Sequence, residues 1–234
     1  MDDSNQSTFH PLDRSREVDV SYRNLPHWFQ AGAAIFVTFR TVDSMPKEVV
    51  LRMQRELQDW LRFRNLPEQL AISSVEQKQP NHEELLQSLN SEDRGEFRRL
   101  LNRLFQGALD ECHGRCLLQQ PELAQIVATA IRHDDGVKFD LDRFLVMPNH
   151  VHAIVQFYSG FDLSVVGQSW MRYSARLINA QIGDSGAFWQ AEPFDHIIRS
   201  AEQFLWLQRY IADNPLKAGL RPGEFLLWTR PGSN

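Results

Sequence analysis

Two runs of apolar and β-branched residues in the second half of the chain have the length and composition of buried strands. They cover Val137–Val146 and Val151–Phe157, and the short Met-Pro-Asn-His segment between them predicts a turn that pairs the two strands. A third run, Gly32–Arg40, has the same enrichment in β-branched and aromatic residues and predicts the first strand. The close pairing of the two later strands predicts an antiparallel sheet.

Between and after these strands, apolar residues recur at helical spacing, as in the four-residue steps from Val49 to Leu61. The last predicted helix opens with a capping box, Ser200–Gln203. We expect Pro215 to stop it, because the residue before proline disfavours helical backbone. Strands separated by helices predict an α+β fold, an antiparallel sheet with helices packed on it. The predicted helices cover Pro46–Arg64, Ser91 to about Asp110, Pro121–Arg132, Ser164–Ile182 and Ser200 to about Asn214.

The length and the distribution of charge predict one main domain with an insertion. Residues 1–25 are polar and mixed in charge, which predicts a loose N-terminal arm. Residues 26–234 are expected to form a single domain. The charged block at about 46–111 separates the first strand from the later ones, and we interpret it as a helical insertion or a lid.

The composition is that of an ordinary globular protein, with a net charge of −5 and a pI near 5.9. This charge argues against a protein that coats duplex DNA electrostatically, but not against one that grips a short nucleic-acid segment locally. No apolar run approaches a membrane span, and the N-terminus lacks the features of a signal peptide, so we expect a cytoplasmic protein. Cys112 and Cys116 are predicted to be reduced thiols, and a zinc site with His113 is the less favoured alternative.

Two histidines lie two residues apart at the start of the strand that ends at Phe157. Because side chains alternate across a strand, His150 and His152 share one face of it. Two neutral imidazoles on one face are the start of a divalent metal site, although a metal needs further ligands. The alternative is two unrelated histidines, one buried and one at the strand end.

The last predicted helix offers two further groups. Tyr210 and Asn214 are four residues apart and so lie on one face of the helix, beside its apolar stripe. Asn214 offers a carbonyl oxygen to a metal, and Tyr210 offers a hydroxyl that is a nucleophile once deprotonated. The alternative is a packing tyrosine and an asparagine that caps the helix.

A helix without acidic residues, Ser164–Ile182, carries Trp170, Arg172, Tyr173 and Arg176, which are candidates to stack bases and hold phosphates of single-stranded DNA. The alternative is an ordinary amphipathic helix with solvated arginines. Trp189 and Gln190 are further candidate DNA contacts, although an aromatic residue after a loop is more often part of a core.

Several motifs in order along the chain resemble one known family. Val146–His152 resembles the His-hydrophobic-His motif of single-tyrosine HUH transposases. Other segments resemble the branch of REP-associated tyrosine transposases. They are Leu25-Pro-His-Trp with Phe36–Arg40, Phe188-Trp-Gln, Phe194–Arg199 and Tyr210–Leu220. The resemblance covers about 24–42 and 114–222, and the block 46–111 lies outside it.

The resemblance implies a ferredoxin-like, RRM-like HUH nuclease palm. It implies that His150 and His152 bind a divalent metal, Mg²⁺ or Mn²⁺, that Asn214 completes the metal site, and that Tyr210 is the nucleophile. Lys217 lies within the matching helix motif and joins the candidate DNA contacts.

The implied activity is transposase-like nicking and joining of single-stranded or hairpin DNA through a 5′-phosphotyrosine, on REP-type elements, with a possible homodimer. Two alternatives remain: a domesticated protein that binds hairpins without cutting them, and a metal phosphodiesterase that uses water as nucleophile.

Overall fold

The computed structural model describes residues 9–22, 26–71 and 86–232. The chain separates into two compact units, one formed by Met1–Val42 with Arg115–Asn234 and the other by Asp43–Gly114. The elements of the first unit are, in chain order, β1 (Asp19–Tyr22), β2 (Pro26–Phe29), β3 (Ala34–Arg40), α3 (Pro121–Arg132), β4 (Phe139–Val146), β5 (His150–Phe157), α4 (Leu163–Ile182), β6 (Phe194–Ile197), α5 (Ala201–Lys217) and β7 (Leu226–Thr229). Those of the second unit are α1 (Lys47–Phe63) and α2 (Ser91–Asp110).

In the described part of the chain, the first unit is built on a five-stranded antiparallel sheet with the order β6-β3-β5-β4-β7. Without β7, the sequence of elements is β3-α3-β4-β5-α4-β6, a ferredoxin-like β-α-β-β-α-β arrangement with β3 and β5 at its centre. The predicted α+β fold with an antiparallel sheet is therefore confirmed. A separate antiparallel pair is formed by β1 and β2.

The two faces of the sheet carry different helices. Alternate residues of β5, Val151, Ala153 and Val155, pack in a large apolar cluster with side chains from α3 and α4. The residues between them face the other way, where Ile154 packs with Phe36 and with the apolar stripe of α5. Because β5 is buried on both faces, most of its residues are apolar, and its polar residues are the two histidines and Gln156.

The last helix does not stop at Pro215 as predicted. It continues to Lys217, with Pro215 inside its last turn. The missing proline N–H costs one intrahelical hydrogen bond, but the Pro215 carbonyl accepts one from Leu220 N–H. The chain leaves the helix at Gly219, which has a positive φ of 70°. The start was predicted correctly, since the Ser200 hydroxyl accepts from Gln203 N–H.

Several short strands were not predicted. The strands β6 and β7 are only four residues long, so neither has enough residues to show a two-residue period, and the same holds for β1 and β2. Of the N-terminal arm predicted for residues 1–25, residues 1–8 and 23–25 lie outside the described ranges, and part of residues 9–22 is held by contacts with the first unit. Phe9 is buried against Phe204, and the backbone N–H of Leu12 donates to Ile198.

The second unit has its own apolar core between two helices. Leu57 and Leu61 of α1 pack with Phe97 of α2. At one end of this core, Arg64 pairs with Asp93 and Glu96. The predicted helices are confirmed, with bounds of Lys47–Phe63 and Ser91–Asp110. None of the helices in the described ranges of either unit is long and apolar enough to cross a membrane.

Candidate active site

The two histidines predicted to share a strand face meet inside the protein. His150 and His152 are both fully buried, and their Nε2 atoms lie 3.1 Å apart. Their rings are tilted edge to face, with centroids 4.7 Å apart. The alternative of two unrelated histidines, one of them at an open strand end, does not agree with this arrangement.

Each imidazole is held by a second hydrogen bond on its other nitrogen. The Nδ1 atom of His152 lies 2.8 Å from the hydroxyl of Thr38, its cross-strand partner on β3. The Nδ1 atom of His150 lies 2.8 Å from Oδ1 of Asn149, in the turn before the strand. Since a carboxamide oxygen only accepts, His150 donates from Nδ1 and keeps a lone pair on Nε2. Such partners fix the ring orientation of metal-ligating histidines.

Burial keeps both imidazoles neutral. It lowers the pKa of His150 to about 3, and it lowers the pKa of His152 well below its usual value, with a smaller contribution from His150. At neutral pH both imidazoles are therefore neutral, which is the form that binds a metal, and the Nε2 atom of His150 carries a lone pair.

The tyrosine predicted as nucleophile lies against this pair. The hydroxyl oxygen of Tyr210 is 3.5 Å from Nε2 of His152, and the two rings meet edge to face with centroids 5.4 Å apart. Helix α5 brings it there because Leu207 and Ile211 are buried on the sheet and leave Tyr210, half-buried, at the edge of the packed stripe. The edge of the Phe36 ring supports it from the neighbouring strand.

One turn after Tyr210, the side chain of Asn214 is buried and has no hydrogen-bond partner among the described residues. Its exposed fraction is 1%, and both its amide nitrogen and its amide oxygen are unsatisfied. A buried amide without hydrogen bonds lowers the stability of the folded protein by about 1–3 kcal/mol. Such a group in a native structure indicates a missing partner, such as a ligand. The side chain does not cap the helix, which was the alternative interpretation, since the Asn214 group bonded to Ala218 N–H is its backbone carbonyl.

These residues fit a divalent ion. Two nitrogen ligands about 2.1 Å from one ion at adjacent octahedral positions lie about 3 Å apart, close to the separation of the two Nε2 atoms. In the part of the chain that the structure describes, no group of three or more His, Cys, Asp or Glu side chains could hold a metal. Asn214 offers an amide oxygen as a third ligand, and this oxygen has no hydrogen-bond partner in the described ranges.

Two further residues of this sheet face, Arg40 and His196, were not predicted as site residues from the sequence. Arg40 is the cross-strand partner of His150, and burial lowers its pKa to about 10, which leaves it charged at neutral pH. His196 on β6 pairs with Phe36, and burial lowers its pKa to about 4. Neither lies near the histidine motif in the sequence, and only strand pairing brings them to its face.

The predicted DNA-binding helix lies on the other side of the sheet. Trp170 and Met171 of α4 pack in the cluster opposite the histidines, while Arg172, Tyr173 and Arg176 are exposed. Arg176 lies over the Tyr173 ring at 5.8 Å. Arg172 and Tyr173 also line an open groove of about 470 Å³ along this helix. The structure therefore does not bring these three residues together with the histidines and Tyr210.

The remaining predicted DNA contacts have different environments. Trp189 is buried with an exposed fraction of 5%, its indole N–H donates to Ser174, and its ring packs against Phe39. It is a core residue, and its prediction as a DNA contact is wrong for this structure. The side-chain amide of Gln190 donates to the Val42 carbonyl. Lys217 is exposed at the end of α5, 3.9 Å from Asp213.

The amino-acid sequence matches no protein-family model and no curated protein. The fold is similar to that of a REP-associated tyrosine transposase bound to a REP hairpin. The likeness covers 92% of this chain and 93% of that chain, with 14% sequence identity and a TM-score of 0.41. At this level the likeness assigns no function, and the residues of the site carry the functional argument.

Proposed function

We propose that the protein cuts and rejoins single-stranded DNA with Tyr210 as its nucleophile. The observation that carries the proposal is the 3.5 Å distance between the Tyr210 hydroxyl and Nε2 of His152. It places a hydroxyl nucleophile against a buried, neutral histidine pair whose outer nitrogens are already fixed. A protein that only bound DNA would have no use for this arrangement.

His150, His152 and Asn214 would hold the divalent ion, Mg²⁺ or Mn²⁺. The histidines would supply Nε2 lone pairs, and Asn214 would supply an amide oxygen that has no hydrogen bond to the described residues. When bound, the ion polarises the scissile phosphate and reduces its repulsion of an anionic nucleophile. Thr38 and Asn149 would fix the orientation of the two metal-binding rings through their Nδ1 atoms.

The covalent step uses the phenolic oxygen of Tyr210. As its bond to phosphorus forms, the bond from phosphorus to the 3′ oxygen breaks, which gives a 5′-phosphotyrosine and a 3′-hydroxyl. The phenolic proton leaves to solvent, and the departing 3′ oxygen takes one up. Since the phosphodiester is conserved as a tyrosine ester, a 3′-hydroxyl can later attack it and rejoin strands without ATP.

Arg40 would stabilise charge on the phosphate. It lies on the sheet face of the histidines, directly across from His150, and it stays cationic at neutral pH. A partly desolvated guanidinium interacts with a phosphate oxygen more strongly than one in bulk water. The chain has a net charge of −5, so its surface as a whole does not attract phosphate. We therefore assign the stabilisation of the phosphate to a local cation, Arg40.

The substrate would be single-stranded DNA beside a hairpin, as the sequence resemblance implies. Tyr210 is half-buried on a helix that packs on the sheet, so its hydroxyl cannot extend into a stacked duplex. An unpaired strand can bend to bring one phosphate to the hydroxyl, whereas a duplex would pay for unpairing first.

The test is to incubate the protein with end-labelled, hairpin-bearing single strands and Mg²⁺ or Mn²⁺, and to look for a covalent protein–DNA band. We expect the band with the wild-type protein, and no band with Tyr210→Phe, His150→Ala or excess EDTA. Tyr173→Phe is the matched control, because it makes the same change on α4, and it should react like the wild type. Peptide mapping should place the nucleotide on Tyr210.

The same assay distinguishes the competing functions. A protein that only binds hairpins would retain DNA without forming the band. A phosphodiesterase that uses water would cut DNA with Tyr210→Phe as well as with the wild type. A nucleotide mapped to Tyr173, or equal cutting of single-stranded and fully paired oligonucleotides, would contradict the proposal.

A further inference from the structure

An exposed tryptophan lies against the ring of Tyr210. Trp206 precedes Tyr210 by four residues on α5, and the two rings are stacked with centroids 5.5 Å apart and planes 13° apart. Trp206 is nevertheless 60% exposed. Since Tyr210 covers one face of the indole, its exposed surface consists of the other face and the ring edges.

Core packing does not account for this side chain. Among the described residues, Trp206 belongs to neither of the two apolar clusters that line the faces of the sheet. Tryptophan is largely buried on average in folded proteins, because its large ring contributes strongly to stability when it leaves water. An indole held parallel to the nucleophile, with one face open, is therefore placed to contact something outside the protein.

The charges around Trp206 indicate what kind of group it contacts. The exposed charged residues of α5 within one turn of Trp206 are one acid, Glu202, and one base, Arg209, so their charges balance. Such a surface gives a phosphate no net attraction. An uncharged aromatic base, by contrast, gains from stacking on an open indole face whatever the charge around it.

We propose that the open face of Trp206 stacks a nucleobase of single-stranded DNA next to the scissile phosphate. The proposal rests on the proposed function of Tyr210, since it places this base one helical turn from the nucleophile. Base, Trp206 and Tyr210 would form one stack that fixes the strand while its phosphate is attacked. Because every base has an aromatic face, the contact tolerates any sequence.

The experiment uses the full chain carrying Tyr210→Phe, which keeps the aromatic ring but forms no adduct, so binding is measured without cutting. The probe is a fluorescent, unpaired oligothymidylate of about 20 nucleotides, followed by anisotropy. Adding Trp206→Ala should weaken binding by roughly ten-fold, and adding Trp206→Phe should restore most of it. Leu205→Ala is the control, because Leu205 is the neighbouring residue and is 47% exposed, and it should leave the affinity unchanged.

Two further measurements separate stacking from charge. The slope of log affinity against log salt should be the same with and without Trp206, because no phosphate contact is lost. An abasic strand of equal length should bind the protein that keeps Trp206 roughly ten-fold or more weakly than the base-bearing strand binds the same protein. This comparison leaves Trp206 in place and therefore does not depend on how the variant folds.

Equal binding of the abasic and base-bearing strands would overturn the proposal, and so would unchanged affinity in Trp206→Ala or the absence of measurable DNA binding. Failure of the proposed function gives a different result. In that case Tyr210 forms no adduct, but the effects of Trp206 and of base removal persist, and Trp206 stacks a base without a scissile phosphate beside it.

Discussion

At Asn214, the arrangement that the proposed metal site requires is one that lowers the stability of the fold. Folding places its amide in a buried position with no hydrogen-bond partner among the described residues, which lowers stability. The proposed metal site requires the amide oxygen to stay available. This conflict is typical of functional sites, where an unfavourable arrangement is kept because it serves binding.

Asn214→Leu should therefore stabilise the protein in EDTA. Leucine has a similar shape without polar atoms, so removing the unsatisfied amide should add about 1 kcal/mol or more. For a chain of this size, each 1 kcal/mol raises Tm by about 2–4 °C. Excess Mn²⁺ should raise the Tm of the wild type, since a ligand of the folded state stabilises it, but not the Tm of the variant.

The control for this prediction is Asn179→Leu on α4. The Asn179 side chain donates to the Gly186 carbonyl, so its replacement removes a hydrogen bond that is made. We expect this variant to lose stability and to keep the response to Mn²⁺. A lower Tm for Asn214→Leu in EDTA, measured by thermal unfolding, would show that the amide is satisfied in the folded protein.

At the scale of elements, the position of α5 along the sheet decides where Tyr210 and Asn214 lie. The apolar stripe of α5 holds the helix on the sheet. Aliphatic contacts are not directional, so they do not fix the position of the helix along its axis. A buried polar contact supplies the register. The amide of Gln208 donates to both oxygens of Asp142, at 3.0 and 3.1 Å, and Asp142 lies at the β-bulge of β4.

We predict that Gln208→Leu slows adduct formation more than it weakens DNA binding. Loss of the amide leaves the buried Asp142 carboxylate with fewer partners, which should cost about 1–3 kcal/mol of stability. A helix that shifts by about 1 Å displaces the Tyr210 hydroxyl and should slow attack by at least ten-fold. The rate is measured from the covalent band under single-turnover conditions, and affinity is measured separately by anisotropy.

Gln156→Leu provides the comparison for destabilisation alone. Gln156 is also buried and accepts from the backbone of His10, and it lies at the opposite end of β5 from His150. It should lower Tm without slowing the covalent step. If the two variants slow the reaction equally, general destabilisation and not register explains the effect of Gln208.

At the scale of the whole molecule, the sheet separates two surfaces. One face is covered by α3 and α4 and the other by α5, and the histidines and Tyr210 lie on the α5 side. The basic residues of α4 lie on the outside of the opposite layer. If they contact DNA, they do so at a distance from the nucleophile, and cleavage depends on α5 and the strands beneath it.

The second unit should be dispensable for cutting a simple substrate. Asp43–Gly114 forms a compact unit with its own core, and every residue of the proposed site belongs to the other unit. Replacing only 68–95 would remove Leu70, Leu86 and Leu89 from that core. The better test replaces the whole of 44–113, so that no partly unfolded remnant of the second unit is left. A flexible Gly/Ser linker of about 10 residues, which spans up to about 30 Å, joins the two ends.

In the linker variant, Mn²⁺ binding by calorimetry and the covalent band on a hairpin-bearing strand should both persist. Unfolding curves are the control, because they show whether the remaining unit is folded. A folded variant that no longer binds Mn²⁺ would place part of the metal site in the second unit.

Local patterns in the sequence were enough to predict the main helices and the long strands, because burial imposes a period of 3.6 or 2 residues on them. The same alternation predicted that His150 and His152 share a face, and helical spacing predicted that Tyr210 and Asn214 do. The short strands β6 and β7 could not be predicted in this way, since four residues in a strand show no reliable period.

What only the tertiary structure decided is which groups meet. Strand pairing brings Thr38 and Arg40 to the two histidines, and the packing of α5 brings Tyr210 to His152 across 58 positions of sequence. Burial then keeps the imidazoles neutral and leaves the Asn214 side chain without a hydrogen-bond partner among the residues that the structure describes. Periodicity depends on residues that are close in sequence, so the sequence by itself determined the main helices and strands. Strand register, helix packing and desolvation depend on contacts between residues far apart in the chain, so only the tertiary structure decided which groups form the site.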